Sequence, residues 1–317
     1  MILMFVGSRL RLVLGVSLAA ISLGGCTAAT STDQPKTLAI SAAFYPLAYA
    51  AEQVGGPAVT VTTVTKPGAE PHDLELTPQD VAGLIHSSTI IYLKGFQPAL
   101  DEAIDAHASE QGFDVTSAAR ATLPSPEHEH EGEDEDAGTE HQEEGTDPHF
   151  WLDPTRYAEV ARAIGEHLAE LDPAHAPDYR TRASDFAGQL SALDADFRDG
   201  LRTCASRVLV TSHAAFGYVA DRYQLTQVSI AGVSPDAEPD AATMSEIVAR
   251  IRQEGVTTVY SETLASPALA QTIARETGAT MAVLDPIEGL TNQSAGTDYL
   301  EIMRSNLATL RAGQGCS

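Results

Sequence analysis

Three of the ten histidines lie where a side chain could bind a ligand. His72 follows a predicted strand, and His213 lies where a predicted strand gives way to a helix. His149 comes just before a predicted helix, and Asp285 follows a strand in the same way as His72. In parallel α/β sheets, ligands bind beyond the carboxyl ends of the strands. Three imidazoles and one carboxylate would form a four-coordinate set suited to Zn²⁺.

Each of these residues also has an ordinary structural explanation. Asp285 precedes Pro286 and could form a turn or cap a helix. His213 could also cap a helix, and His149 could be a packed loop residue. Residue types and spacing alone therefore leave a shared metal site as one of several alternatives.

The elements that must position these residues alternate between strand and helix. In the first half, β-branched runs predict strands at Thr37–Ala42, Val59–Thr65 and Thr89–Leu93, with helices at Pro46–Val54, Pro78–His86 and Pro98–Glu110. In the second half, strands are predicted at Arg207–Thr211, Thr226–Ile230, Thr257–Ser261 and Thr280–Leu284, with helices at Ala214–Tyr223, Thr243–Glu254, Pro267–Thr277 and Thr297–Arg311. This alternation predicts parallel sheets covered on both faces.

Two helical patterns separate the halves. Pro154–Leu171 follows Asp153, a suitable N-cap, and a second pattern runs from about Pro177 to Leu201. The second helix would be about 37 Å long at 1.5 Å per residue. We therefore predict an α/β fold in which two α/β lobes with mainly parallel sheets are joined by a long rigid helix, with a ligand in the cleft between them. The predicted divisions are 37–153 for the N-terminal lobe, 154–201 for the helices and 202–317 for the C-terminal lobe.

The first 36 residues resemble a bacterial export signal with a lipid anchor. Arg9 and Arg11 precede the apolar run Leu12–Leu23, which is too short to span a bilayer. The run ends in Leu-Gly-Gly-Cys26, a pattern similar to a lipobox, in which the cysteine is lipidated. We expect a signal peptide over 1–25, a tether over 26–36 and an extracytoplasmic protein anchored to the membrane. The alternative is an ordinary signal peptide cleaved nearby.

Two further cysteines, Cys204 and Cys316, would then lie in an oxidising compartment. Leftover thiols tend to pair there, which predicts a disulfide between the C-terminal tail and the start of the second half. Two unpaired thiols are the alternative.

The segment 124–146 is acidic and contains His128, His130 and His141. Apart from Ala137 and two prolines it has no apolar residues that could offset the entropy of ordering, so it is predicted to be a mobile loop. Its histidines could capture metal loosely near the site. The alternative is a solvated insertion without a role.

The formal net charge of −25 arises from 44 acidic and 19 basic residues. This balance argues against nucleic acid as a partner, because phosphates are bound by Lys and Arg. It suits a protein that attracts cations, although an acidic surface can also serve solubility.

Five short strings carry a resemblance to a known family. They are PGAEPHD at 67–73, DPHFWLDP at 147–154, TSHAAFGY at 211–218, SETLASP at 261–267 and LDP at 284–286. In this order they resemble the metal-binding subunits of bacterial zinc and manganese ABC importers, the cluster A-I solute-binding proteins. The resemblance extends over the chain from Thr37 onward.

The resemblance implies that a metal is held between two lobes by residues of both. It assigns His72 and His149 to the N-terminal lobe as ligands, and His213 and Asp285 to the C-terminal lobe. Some zinc-binding relatives have an acidic residue directly before the first histidine. Here Glu70 lies one position too early, which favours Asp285 as the fourth ligand.

Two acidic residues, Glu70 and Glu262, are expected to lie behind the ligands rather than on the metal. Imidazole ligands favour zinc over manganese. The manganese-binding relatives tend to have Glu where this chain has His213. The acidic histidine-containing loop is also typical of zinc-binding relatives. The expected function is extracytoplasmic capture of Zn²⁺ by a monomer and its delivery to an ABC permease and ATPase. The alternative within the family is Mn²⁺ or Fe²⁺.

Other classes of function are less compatible with the sequence. A zinc hydrolase needs an open coordination position, and four protein ligands would leave none. The sequence contains no HExxH, no GxSxG and no phosphate-binding GxxxxGK[ST] motif, so any ATPase must be another chain. We therefore expect no enzymatic activity. A surface adhesin or metal buffer would keep the same site and is a further alternative.

Overall fold

The computed structural model describes residues 37–124, 146–235, 237 and 239–317. The strands are β1 (Leu38–Ala42), β2 (Val59–Thr63), β3 (Thr89–Tyr92), β4 (Gly112–Asp114), β5 (Val208–Thr211), β6 (Thr226–Ser229), β7 (Thr258–Ser261) and β8 (Thr280–Val283). The helices are α1 (Tyr45–Gly55), α2 (Pro78–His86), α3 (Pro98–His107), α4 (Thr116–Ala119), α5 (Pro154–Leu171), α6 (Ala176–Gly200), α7 (Gly217–Tyr223), α8 (Ala241–Glu254), α9 (Ala268–Thr277) and α10 (Tyr299–Gly313). Single turns of 3₁₀ helix lie at Gly56–Ala58 and Phe150–Leu152.

The strands form two four-stranded parallel sheets, with the orders β2-β1-β3-β4 and β6-β5-β7-β8. Three of the four inner strands, β3, β5 and β7, are buried at every position. Their sequences, TIIY, VLVT and TVYS, are rich in β-branched and aromatic residues, as expected for strands covered on both faces. The carboxyl ends of β5 and β7 lead directly into two of the loops that form the site described below.

The main hydrophobic core is continuous between the two sheets. It runs from the N-terminal sheet through α5 and α6 to α10 and one face of the C-terminal sheet, and it includes Trp151, Tyr157 and Phe186. A smaller core lies on the other face of the C-terminal sheet, under α8 and α9. Opening the two lobes would expose apolar surface of the shared core to water, which opposes a large separation.

The predicted fold of two α/β lobes and a long helix is confirmed. Helix α6 has 25 residues, which corresponds to about 37 Å. Strand β4 was not predicted, because its three residues, Gly-Phe-Asp, carry too little β-branched character to register as a strand. Helix α7 begins at Gly217 and not at Ala214, because the chain first forms an irregular turn around His213. The predicted domain divisions stay predictions.

The predicted disulfide between Cys204 and Cys316 is confirmed, with an S–S distance of 2.03 Å across 112 residues. The backbone N–H of Ser317 also donates to the carbonyl of Thr203. The end of the chain is thus tied to the segment between α6 and β5. Within the described part of the chain, no helix is long and apolar enough to cross a membrane. The predicted signal peptide and tether, with Cys26, lie outside the described residues.

Candidate metal centre

His72 lies in the irregular segment between β2 and α2. The side-chain amide of Gln97 donates to the carbonyl of Pro71 at 2.9 Å, which fixes the turn just before the histidine. The backbone N–H of His72 donates to Glu70 Oε1 at 3.2 Å. The ring of Phe96 meets the imidazole edge to face, with 4.7 Å between centroids. These contacts hold His72 at the edge of the site, where 10% of its side chain is exposed.

His149 precedes the 3₁₀ turn Phe150–Leu152 and is fully buried. Asp147 Oδ1 accepts from its backbone N–H at 2.9 Å and pairs with Nδ1 at 2.8 Å. A carboxylate on Nδ1 orients the ring and leaves Nε2 free for a ligand. A Cβ at Gly217 would lie 2.5 Å from Asp147 Oδ2, so glycine is what allows α7 to pass this close.

His213 follows the carboxyl end of β5 and is also fully buried. Glu262, which follows β7, pairs with its Nδ1 at 2.5 Å and accepts from its backbone N–H at 3.0 Å. Because β5 and β7 are neighbours in the sheet, their ends bring these two residues together. Thr211 Oγ1 donates to the carbonyl of His213 at 2.7 Å and completes the turn.

The three imidazoles converge on one carboxylate. Glu288 Oε1 lies 3.2 Å from Nε2 of His72, 2.9 Å from Nε2 of His149 and 3.4 Å from Nε2 of His213. Each of the four residues offers one ligand atom, and these atoms all lie within 4.8 Å of one another. Glu288 Oε2 is buried and has no hydrogen-bond partner among the described residues. A buried carboxylate oxygen without a donor is costly unless a cation compensates it.

The fourth member of this cluster differs from the predicted one. Asp285 does not join the histidines in this cluster. Its Oδ1 accepts from the backbone N–H of Ile287 at 2.8 Å, and its Oδ2, like Glu288 Oε2, is buried without a hydrogen-bond partner among the described residues. Its backbone is held by the side chain of Asn306 through bonds of 3.0 and 2.7 Å. Asp285 therefore shapes the loop, and Glu288 reaches the site. Asp285 lies outside this cluster, and its predicted role as a metal ligand stays a prediction.

Glu288 could have been considered from the sequence, since it lies three residues after Asp285. The signal was weak because a strand end predicts where the loop starts and says little about its path. Here the path depends on Ile287, which adopts a φ of 59° and redirects the chain. Asp147 was likewise not singled out, and its proximity to His149 in the sequence was the available signal.

The carboxylates and imidazoles of the cluster shift one another's pKa values. Burial disfavours charge on His213, but the carboxylates of Glu262 and Glu288 outweigh burial and raise its pKa well above 6.5. Burial also opposes charge on His149, and Asp147 and Glu288 together raise its pKa. For Glu288, burial acts in the opposite direction, yet the neighbouring imidazoles hold its pKa well below 4.5. At neutral pH the metal-free cluster therefore keeps Glu288 ionised.

The pKa values of His72 and Glu70, at the edge of the site, do not follow this pattern. Burial lowers the pKa of His72 despite its contact with Glu288. Burial, and then repulsion by Glu288, raise the pKa of Glu70 to about 8. The raised pKa favours the protonated form of Glu70. Its observed contact is with the backbone N–H of His72, whereas Glu262 contacts both the backbone N–H and Nδ1 of His213. Of the two, Glu262 therefore lies behind an imidazole, and the place predicted for Glu70 stays a prediction.

The donor set fits one transition-metal ion. Three imidazole nitrogens and one carboxylate oxygen are ligands that Zn²⁺ takes in tetrahedral sites, whereas Mg²⁺, Ca²⁺ and Mn²⁺ prefer sets richer in oxygen. The predicted loose ligands His128, His130 and His141 lie outside the described residues, so their role stays a prediction.

The sequence of this chain matches a known family of proteins. Residues 40–313 match the family of zinc-uptake complex component A, ZnuA, which is described as periplasmic. The zinc-binding protein AdcA of Streptococcus pyogenes is 34% identical over 279 residues, which is 84% of this chain and 54% of that protein. The high-affinity zinc uptake system protein ZnuA of Bacillus subtilis is 30% identical over 296 residues, or 90% of each chain.

Among solved structures, the Zn(II)-bound ZnuA-like domain of Streptococcus pneumoniae AdcA has a TM-score of 0.71 and 30% identity, covering 88% of this chain and 99% of that domain. The chain spans about half the length of the AdcA relatives that it matches. The ZnuA-like domain and the Bacillus protein, by contrast, are matched over nearly their full length.

Proposed function

The chain belongs to the ZnuA family of solute-binding proteins, and we propose that it captures Zn²⁺ outside the cytoplasm for delivery to an ABC importer. The observation that carries this proposal is the convergence of three imidazole Nε2 atoms on one buried carboxylate oxygen. The proposed ligands are His72, His149, His213 and Glu288. The AdcA and ZnuA relatives are named for zinc binding and zinc uptake, which supports the same cargo.

The donor set supports zinc over manganese as cargo. Three of the four donors are neutral nitrogens when the imidazoles are deprotonated, and Zn²⁺ is a better match for imidazole than Mn²⁺. Cu²⁺ and Ni²⁺ bind such sites tightly in vitro by the Irving–Williams order, so affinity for them would carry no information about the cargo.

The proposed role is binding without catalysis. Four protein ligands complete a tetrahedral coordination sphere, and a catalytic zinc needs an open position for water. Three of the four residues are buried, and only His72 is partly exposed, so bulk water reaches the metal poorly. Export, a lipid anchor at Cys26 and a monomeric state belong to the same proposal.

The partners in this proposal are a permease and an ATPase of the importer. The continuous core between the sheets supports a small adjustment of the lobes on binding rather than a wide opening. Ordering of the irregular segment around His72 would then accompany metal entry, since His72 is the ligand nearest to solvent.

Calorimetric titration of the metal-free protein with Zn²⁺ and with Mn²⁺ tests the proposal, beside the His213→Ala variant. We expect one tight zinc site, weaker binding of manganese and a strong loss of zinc affinity in the variant. Tight zinc binding that ignores this substitution would place the site elsewhere. A preference for manganese would keep the family and overturn the cargo.

A further inference from the structure

We propose that Trp151 is a positioning residue for metal binding, because its indole N–H ties the loop that carries Glu288 to the segment that carries His149. This inference rests on the proposed function and extends it to a side chain that is not a ligand. Trp151 is the single tryptophan of the chain and is fully buried. It lies two residues after His149.

Trp151 is bonded to two elements of the C-terminal half. Its Nε1–H donates to the carbonyl of Pro286 at 2.8 Å, and Pro286 lies two residues before Glu288. Its own carbonyl accepts from the hydroxyl of Tyr299, at the start of α10, at 2.5 Å. A single side chain thus connects the backbone near one proposed ligand to the backbone near another, which comes from the opposite half of the chain.

The bond acts on the peptide unit between Pro286 and Ile287, directly before Glu288. The carbonyl of Pro286 and the N–H of Ile287 belong to the same peptide group. Trp151 donates to that carbonyl, and the N–H donates to Asp285 Oδ1. With both of its polar atoms bonded, this peptide plane cannot rotate without breaking a buried hydrogen bond.

The position just after this peptide is one that needs such support. Ile287 has a φ of 59°, a conformation that β-branched residues rarely adopt because Cβ approaches the backbone. Ile287 is also fully buried, so neighbouring side chains help to hold it. A left-handed residue persists only where its surroundings fix it, and the bond from Trp151 is one of the contacts that do so.

The indole ring is also held by packing against aromatic side chains. Its ring lies 5.0 Å from Phe44, 6.1 Å from Phe96 and 5.2 Å from His149 by centroid distances. Packing against these rings leaves the indole little freedom to follow a displaced loop. The position of Glu288 relative to His149 is therefore set in the metal-free protein, which reduces the cost of organising the site when the ion arrives.

The test is a double-mutant cycle on zinc affinity. Trp151→Phe keeps most of the aromatic packing and removes the N–H, which leaves the Pro286 carbonyl without this donor. We expect about tenfold weaker zinc binding in this variant, because a loop that is no longer held by the indole must be ordered when the ion binds. In a Glu288→Ala background the same substitution should change affinity less than about twofold, because the group that it positions is gone.

A core variant far from the cluster separates positioning from general stability. Phe186 in α6 is 1% exposed and contacts Tyr49 and Tyr157. We expect Phe186→Leu to lower the melting temperature while zinc affinity stays at the wild-type value.

Three results would contradict the inference. Wild-type zinc affinity in Trp151→Phe would show that the indole serves packing alone. An equal loss of affinity with and without Glu288 would show that it acts through another ligand. If Phe186→Leu lost zinc affinity in proportion to its loss of stability, the weaker binding of Trp151→Phe would be an effect of stability in general. Failure of the wild-type protein to bind zinc through its histidines would overturn the proposed function itself, and is recognised by the His213→Ala comparison.

Discussion

His149 and His213 differ from His72 in what lies behind the imidazole. The first two each have a buried carboxylate on Nδ1, supplied by Asp147 at 2.8 Å and by Glu262 at 2.5 Å. In both cases the same carboxylate group also accepts from the backbone N–H of the histidine. Glu70 contacts His72 only through the backbone N–H, and the His72 side chain is the one with measurable exposure, at 10%.

This difference divides the site into two parts: a preset pair of ligands, His149 and His213, and an adjustable ligand, His72. The two carboxylate-backed rings are oriented before any ion binds, since each ring is held at both its backbone and its Nδ1. His72 lies in a segment without regular structure and is nearest to solvent. We infer that the ion meets a fixed pair of imidazoles and that His72 closes the coordination last.

The largest expected effect comes from removing a ligand of the preset pair. We expect His149→Ala to weaken zinc binding by at least about 100-fold, because a tetrahedral site then lacks one of four ligands and a buried position remains where water coordinates poorly. His72→Ala should also weaken zinc binding, but the loss should be roughly tenfold smaller than in His149→Ala, since water can reach the partly exposed position. Competition titrations with a chelator of known affinity measure both. Equal losses would remove the distinction between the two parts.

The second prediction concerns the fourth ligand. We expect Glu288→Gln to weaken zinc binding about 100-fold or more, because a neutral amide replaces the only anionic ligand. Asp285→Asn should change affinity by less than about threefold, since the amide oxygen can still accept from the N–H of Ile287. The same competition titration measures the pair. The opposite order of effects would restore Asp285 as the ligand.

A third, smaller effect is expected from the carboxylates behind the rings. Asp147→Asn and Glu262→Gln should each weaken zinc binding about tenfold, because the partner of Nδ1 loses its charge and the imidazole becomes a weaker donor. Glu70→Gln is the matched control at the edge of the site. The raised pKa of Glu70 favours its neutral form and its side chain does not touch the ring, so we expect affinity within about twofold of wild type. A large effect of Glu70→Gln would mean that Glu70 acts on the metal.

The smallest expected effect is a pH dependence of the metal-free protein. The raised pKa of His213 and that of His149 contribute stability that is fully present below about 6.5 and is lost as pH rises through the folded values. The lowered pKa of Glu288 contributes stability above about 4.5 that is lost as pH falls through its folded value. The lowered pKa of His72 opposes the first contribution below about 6.5. The pKa of Glu70, raised to about 8, adds to the loss of stability as pH rises, because this carboxyl favours the protonated form in the folded protein.

We therefore expect the melting temperature of the metal-free protein to be higher near pH 6 than near pH 8.5. Zinc affinity should change in the opposite direction, because zinc binds neutral imidazoles and competes with protons. Thermal melts across this range, repeated on His213→Gln, measure the first trend. An unchanged pH profile in that variant would show that the trend arises elsewhere in the protein.

The parts of the site that the sequence could predict are those fixed by short-range rules. His213 follows a buried β-branched strand, and ligands gather where such strands end, so its place could be inferred from local pattern. His149 was found through the string that surrounds it. The fold followed from alternating strand and helix patterns, which depend on spacing within a few residues.

The choice between Asp285 and Glu288 lay beyond those rules. Whether Asp285 or Glu288 faces the histidines depends on Asn306 in α10, on Trp151 in the other half and on the left-handed Ile287. These contacts join residues more than 20 positions apart, and a pattern read along the chain does not contain them. Residue type also gave no guidance, since either carboxylate suits zinc.

A crystal structure of the zinc-loaded protein would show whether His72, His149, His213 and Glu288 hold one zinc ion. We predict one tetrahedral ion with three Nε2 atoms at about 2.0–2.1 Å and an oxygen of Glu288 at about 2.0–2.2 Å. An ion bound by Asp285, or an ion held outside this cluster while the four residues keep their metal-free contacts, would contradict the account.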